Sequence, residues 1–82
     1  MKKIYYFTSP TCAPCRTLGP IMESLSTQIN FEKIDVSINS TLAHKLGVRG
    51  VPTLVLIENG VEKGRLVGLQ TKDTILNFYK NS

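Results

Sequence analysis

The chain has no tryptophan, a single histidine and only two cysteines among its 82 residues. With His44 as the one imidazole and no third thiol, a four-ligand zinc site of the usual kind lacks donors, and no metal is expected. Cys12 and Cys15 sit so close in sequence that a disulfide between them would hardly restrict the unfolded chain. They are therefore not a structural staple. Long apolar runs are also missing. The two longest, Ile4-Tyr5-Tyr6-Phe7 and Leu54-Val55-Leu56-Ile57, fall far short of the roughly 20 residues a membrane helix needs. Between Met1-Lys2-Lys3 and Thr8-Ser9-Pro10 there is too little apolar sequence for the core of a secretion signal. The expected compartment is the cytoplasm, where structural disulfides are rare and a close cysteine pair points to chemistry.

Blocks of like charge are absent as well. The chain carries 10 basic and 6 acidic residues, a formal charge of +4, and the basic ones are scattered from Lys2 to Lys80. Neither a basic stripe nor a charged tail is present, so no nucleic-acid or membrane binding is expected. No repeat, low-complexity stretch or linker divides the sequence. A composition 41% hydrophobic and 20% charged suits one globular domain, taken as residues 1–82.

What is present reads as alternating strands and helices. Ile4-Tyr5-Tyr6-Phe7 is continuously apolar, which predicts a strand over residues 2–8 covered on both faces. Ser9-Pro10-Thr11 breaks it. Leu18, Ile21, Met22, Leu25 and Ile29 recur at helical spacing, predicting a helix from about Cys12 or Ala13 to about residue 28. Pro14 suits its first turn, and Pro20 should kink it without ending it. Residues 30–36 read as a second strand, parallel to the first through a right-handed crossover. Residues 39–47 read as a short helix capped by Asn39 or Ser40. Thr53 to Ile57 reads as another buried strand. Asn59-Gly60 is a strong hairpin signal, and residues 62–67, being charged, read as an edge strand. A last helix starts at Thr71. The order is β-α-β-α-β-β-α, an α/β class with a four-stranded mixed sheet and helices on both faces.

Three segments then take on meaning together: Thr11-Cys12-Ala13-Pro14-Cys15, Gly47-Val48-Arg49-Gly50-Val51-Pro52-Thr53, and Glu58-Asn59-Gly60 followed by Val67-Gly68. In order and spacing the chain resembles the thioredoxin family, in a short, glutaredoxin-sized form without the extra N-terminal strand and helix. C-x-x-C beside a βαβ pattern is a known sign of this fold.

Cys12 should lie just outside a helix N-terminus, where unpaired N–H groups and the helix dipole stabilise a thiolate. It is the expected nucleophile of disulfide exchange. Cys15, one helical turn on, is the expected resolving thiol, releasing reduced substrate as the Cys12–Cys15 disulfide closes. The resemblance implies a cis Val51–Pro52 bond facing the sulfurs, with the Val51 backbone pairing with substrate. It implies close approach of a substrate backbone at Gly68, and substrate contact at Thr11 and Ala13. Pro14, Tyr6 and Arg16 form the surrounding layer, Arg16 with a charge that could help the thiolate. No bound cofactor is implied beyond the redox-active cysteine pair. The implied partners are disulfide-containing proteins and a thioredoxin-reductase-like electron donor, the chain acting as a monomer.

The departures are as informative. Thr11 stands where a tryptophan is usual, and Ala13 where glycine is. The family's buried aspartate is replaced by Tyr6, and the lysine that commonly pairs with it aligns with Phe31. Losing both charges together is coherent, because one buried charge left alone is costly. Tyrosine is a poor base at neutral pH. Cys15 is therefore expected to lose its proton to water or to the departing Cys12 thiolate. Two other readings stand beside this one. A glutathione-dependent glutaredoxin would usually show paired glycines where this chain has Gly68-Leu69. A non-redox interaction module would have no use for both cysteines.

Overall fold

The computed structural model describes residues 1–81. The elements run β1 (Lys2–Thr8), α1 (Ala13–Ser24), β2 (Phe31–Asp35), α2 (Thr41–Lys45), β3 (Thr53–Glu58), β4 (Val61–Val67) and α3 (Lys72–Lys80). The strands form one four-stranded sheet in the order β2-β1-β3-β4. β1 pairs in parallel with β2 and antiparallel with β3, and β3 pairs antiparallel with β4. The sheet is mixed, in the expected element order.

The two continuous apolar runs are the two central strands. Ile4 and Tyr6 of β1, with Leu54 and Leu56 of β3, pack against Leu18, Met22 and Leu25, and against Ile75 of α3. Phe7 and Val55, one residue out of phase, pack with Ile34 and with Ala43 of α2. Side chains alternate across a strand, so a strand with helices on both faces needs apolar residues at every position. α1 and α3 cover one face and α2 the other. Each large apolar side chain buried this way contributes about 1.5–3 kcal/mol.

The edge strands carry charge. Glu32 and Lys33 are exposed on β2, as are Glu62 and Lys63 on β4, which discourages pairing with other chains. Lys3 pairs with Glu32 at 3.1 Å, and Arg65 with Glu62 at 2.7 Å. The hydrogen bond from Arg65 holds the Glu62 carboxyl below its ordinary range and raises the guanidinium in turn. Arg65 also donates to the Leu46 carbonyl at 2.8 Å, tying β4 to the end of α2. The β3–β4 turn has φ 53° at Asn59 and 82° at Gly60, the left-handed pair a tight hairpin requires.

The helices are shorter than their periodicity predicts. α1 ends at Ser24, and the chain continues in turns, with Leu25 N–H donating to the Met22 carbonyl and Gln28 N–H to the Leu25 carbonyl. Ser24 Oγ donates to the Ile21 carbonyl at 2.6 Å. Such local side-chain bonds compete with helix continuation, and Ser-Leu-Ser-Thr offers several. Leu25 and Ile29 are buried all the same, so the apolar period runs past the helix. α1 does continue through Pro20. α2 covers only Thr41–Lys45, with Asn39 Oδ1 accepting from Thr41 N–H. Thr71 caps α3, accepting from Thr74 N–H at 3.2 Å.

Candidate active site

The central strand β1 delivers the chain to a short loop at its C-terminal end, and α1 begins immediately afterwards. Cys12 is the N-cap residue of α1, with extended backbone angles, and its Sγ accepts from the Cys15 N–H at 3.2 Å. A sulfur so placed receives one of the N–H groups that a helix start leaves unpaired. Pro14, which has no N–H to lose, occupies the first turn. Cys12 and Cys15 are joined as a disulfide with a Cα–Cα separation of 5.2 Å. Their exposures differ. Cys12 is half-buried, whereas Cys15 is only 3% exposed.

Around Cys12 the structure brings together residues distant in sequence. Its Sγ lies 3.6 Å from the Val51 carbonyl, toward which a reduced thiol would donate. The Val51–Pro52 bond is cis, as the resemblance implies. Pro52 is buried and Val51 half-buried. Thr53 Oγ1 donates to the Gly50 carbonyl at 2.7 Å and braces this loop. Gly68 donates its N–H to the Pro52 carbonyl at 2.8 Å. Its φ of 87°, with open space where a side chain would begin, explains glycine there by backbone conformation alone. Thr11 and Ala13 are exposed at the rim, and Thr11 is held by Ser9 Oγ, which accepts its N–H at 3.4 Å. Arg16 is exposed and donates to the Pro10 carbonyl at 3.3 Å, bracing the loop before the thiols. His44 is exposed on α2.

The underside of Cys15 is a different environment. Tyr6, 1% exposed, donates from its hydroxyl to the Cys15 carbonyl over a long 3.4 Å. Its ring meets Phe31 edge-on at 6.3 Å between centroids, so the two aromatics do touch. The β1–β2 register corrects the alignment of the usual lysine, however. Phe31 stands opposite Ile4, and Lys33 stands opposite Tyr6, with Asp35 opposite Thr8. A cleft of about 320 Å³ runs here, lined by Tyr6, Cys15, Arg16, Lys33 and Asp35 among others. Lys33 and Asp35 were missed in the sequence. Phe31, Lys33 and Asp35 follow one another at steps of two, which puts all three on one face of β2, but only the strand register shows which of them lies near Cys15. Among the described residues no group of three or more His, Cys, Asp or Glu could hold a metal ion, and no helix is long and apolar enough to cross a membrane.

A half-exposed sulfur at a helix start, a buried sulfur one turn on and a cis-proline loop beside the first are the parts of a disulfide-exchange centre. The thioredoxin family model matches residues 2–81. The chain belongs to the thioredoxin family. It is 32% identical over 80 residues to a thioredoxin of Rickettsia bellii, covering 93% of this chain and 76% of that one. It is 38% identical over 75 residues to a thioredoxin of Chlamydia pneumoniae, covering 88% and 74% respectively. Among solved structures, a mutant thioredoxin from Halobacterium salinarum superposes with a TM-score of 0.91 at 39% identity, over 98% of this chain and 73% of that chain. This thioredoxin-family chain is a thiol-disulfide oxidoreductase that reduces protein disulfides, and Cys12–Cys15 is its cysteine pair.

Proposed function

We propose that Cys12 is the attacking thiol and Cys15 the resolving one. The asymmetry of the pair carries this reading. Cys12 is reachable and sits at the helix start, where N–H groups stabilise a thiolate, while Cys15 is enclosed beneath it. The Cys12 thiolate attacks one sulfur of a substrate disulfide, forming a mixed disulfide and expelling the other sulfur as thiolate. Cys15 then attacks Cys12 Sγ. The Cys12–Cys15 bond forms, the mixed disulfide breaks, and two electrons have passed to the substrate.

The substrate polypeptide lies along Thr11, Ala13, Val51, Pro52 and Gly68. The Val51 carbonyl and N–H pair with it in the manner of a strand, and the open space before Gly68 admits its backbone. Pro14 sets the helix start that presents Cys12, and Arg16 braces the preceding loop. The partners are proteins with reducible disulfides and a thioredoxin-reductase-like donor. The chain acts as one domain over residues 1–82, as a cytoplasmic monomer, with no bound cofactor beyond the cysteine pair itself.

The test is reduction of insulin's disulfides with dithiothreitol as donor, followed by two coupled assays. Accelerated insulin reduction, sustained by NADPH with a thioredoxin reductase, is the expected result. Turnover supported only by glutathione with its reductase would assign the glutaredoxin reading instead. No acceleration over dithiothreitol alone would remove the enzymatic role.

A further inference from the structure

Resolution of the mixed disulfide requires Cys15 to lose a proton, yet Cys15 is almost wholly enclosed. The carboxylate expected beneath it is replaced by Tyr6, whose hydroxyl is directed to the Cys15 carbonyl. The cleft under the pair supplies another group. The parallel register places Asp35 level with Thr8 at the end of β1, on the face covered by α1. Asp35 and Cys15 line the same cleft of about 320 Å³, far more than one water molecule needs. Asp35 accepts hydrogen bonds from Ser37 N–H at 2.9 Å and Ser37 Oγ at 2.6 Å. Both fall on Oδ1, which fixes the carboxylate, and Oδ2, which accepts no hydrogen bond among the described residues, is left to take a proton.

We propose that Asp35 is the proton acceptor for Cys15 during release of the reduced substrate. The proposal rests on Cys12 attacking and Cys15 resolving. The Cys15 thiol proton passes across the solvent of the cleft to the Asp35 carboxylate. The Cys15 sulfur forms its bond to Cys12 Sγ as the Cys12–substrate bond breaks. The substrate leaves as a thiolate, and the proton held on Asp35 returns to it or to solvent. The other ionisable groups on this cleft are Tyr6 of β1, Arg16 of α1 and Lys33 of β2.

The two steps can be timed separately by acid quench and mass spectrometry, with a small disulfide substrate and the wild type beside Asp35→Asn. Asparagine keeps the shape and can still accept from Ser37. The expected result is unchanged mixed-disulfide formation, with a mixed disulfide that persists about 100-fold longer at neutral pH, the low end of what a general base contributes. Resolution by Asp35→Asn should rise tenfold per pH unit toward the thiol range near pH 8.5. Wild-type resolution should instead level off above the carboxylate range, and Asp35→Glu should recover part of the rate. Equal resolution by wild type and Asp35→Asn at every pH would overturn the proposal. Should Asp35→Asn not fold, the wild-type profile decides. A plateau supports Asp35, and a tenfold rise per pH unit with no plateau overturns it. A wild type that forms no mixed disulfide at Cys12 would refute the assignment of the two thiols instead.

Discussion

Cys12 and Cys15 belong to one five-residue motif and occupy opposite surroundings. Cys12 looks outward. Its neighbours are backbone groups: the Cys15 N–H, the Val51 carbonyl, and beyond them the Pro52 carbonyl held by Gly68. Cys15 looks inward, over Tyr6 and a cleft with Lys33 and Asp35. The outward side consists of main chain, which suits the strand-like substrate pairing proposed above. The inward side consists of side chains, so its tuning is free to vary with sequence.

The largest expected effect breaks the comparison at its outward half. Cys12→Ser should abolish insulin reduction, leaving only the dithiothreitol background, because a serine hydroxyl does not exchange with disulfides. A Cys12→Ser protein with appreciable turnover would show the two thiols to be equivalent. Next comes the support of the inward half. Leu18, one turn after Cys15 and fully buried between α1 and the sheet, should cost about 2–5 kcal/mol as Leu18→Ala. Denaturant unfolding would measure it, and disulfide reduction should persist below the lowered melting temperature.

A smaller effect is expected of Tyr6→Phe. It removes one long hydrogen bond to the Cys15 carbonyl, so its stability cost should not exceed about 1 kcal/mol. Reduction should survive, because the tyrosine is not the base. A folded Tyr6→Phe protein without activity would contradict this description of the inward side. The smallest effect serves as a control remote from both thiols. Glu62 has its folded-state carboxyl lowered by the hydrogen bond from Arg65. A lowered carboxyl adds stability above the unfolded range, near pH 4.3, and that stability is lost as pH falls through the folded value. For so exposed a pair it should amount to less than about 1 kcal/mol. Glu62→Gln should lose it near neutrality, the gap to wild type should close in acid, and insulin reduction should not change.

The outward half was legible in the sequence because it depends on residues with distinctive backbones. Pro14 marks the helix start and Gly68 a turn from the residues alone, whereas the cis bond at Pro52 follows only from the family resemblance, since most X-Pro bonds are trans. The two central strands were legible for a related reason: Ile4 to Phe7 and Leu54 to Ile57 leave no polar face. The inward half was not. Phe31, Lys33 and Asp35 share one face of β2, and one step of two residues in the register decides which stands opposite Tyr6 and which lies level with Thr8, beside the thiols. Tertiary pairing sets that step. The end of α1 was hidden for a different reason. Leu25 and Ile29 keep the helical period and are buried, but they are carried by turns.

The most direct measurement is capture of the mixed disulfide by each single-cysteine variant, with the cross-linked peptide identified by mass spectrometry. Cys15→Ser should trap a substrate protein through Cys12 in high yield, and Cys12→Ser should trap almost none. Equal capture through Cys15 would contradict the account, since the enclosed sulfur would then be as reachable as the one at the helix start.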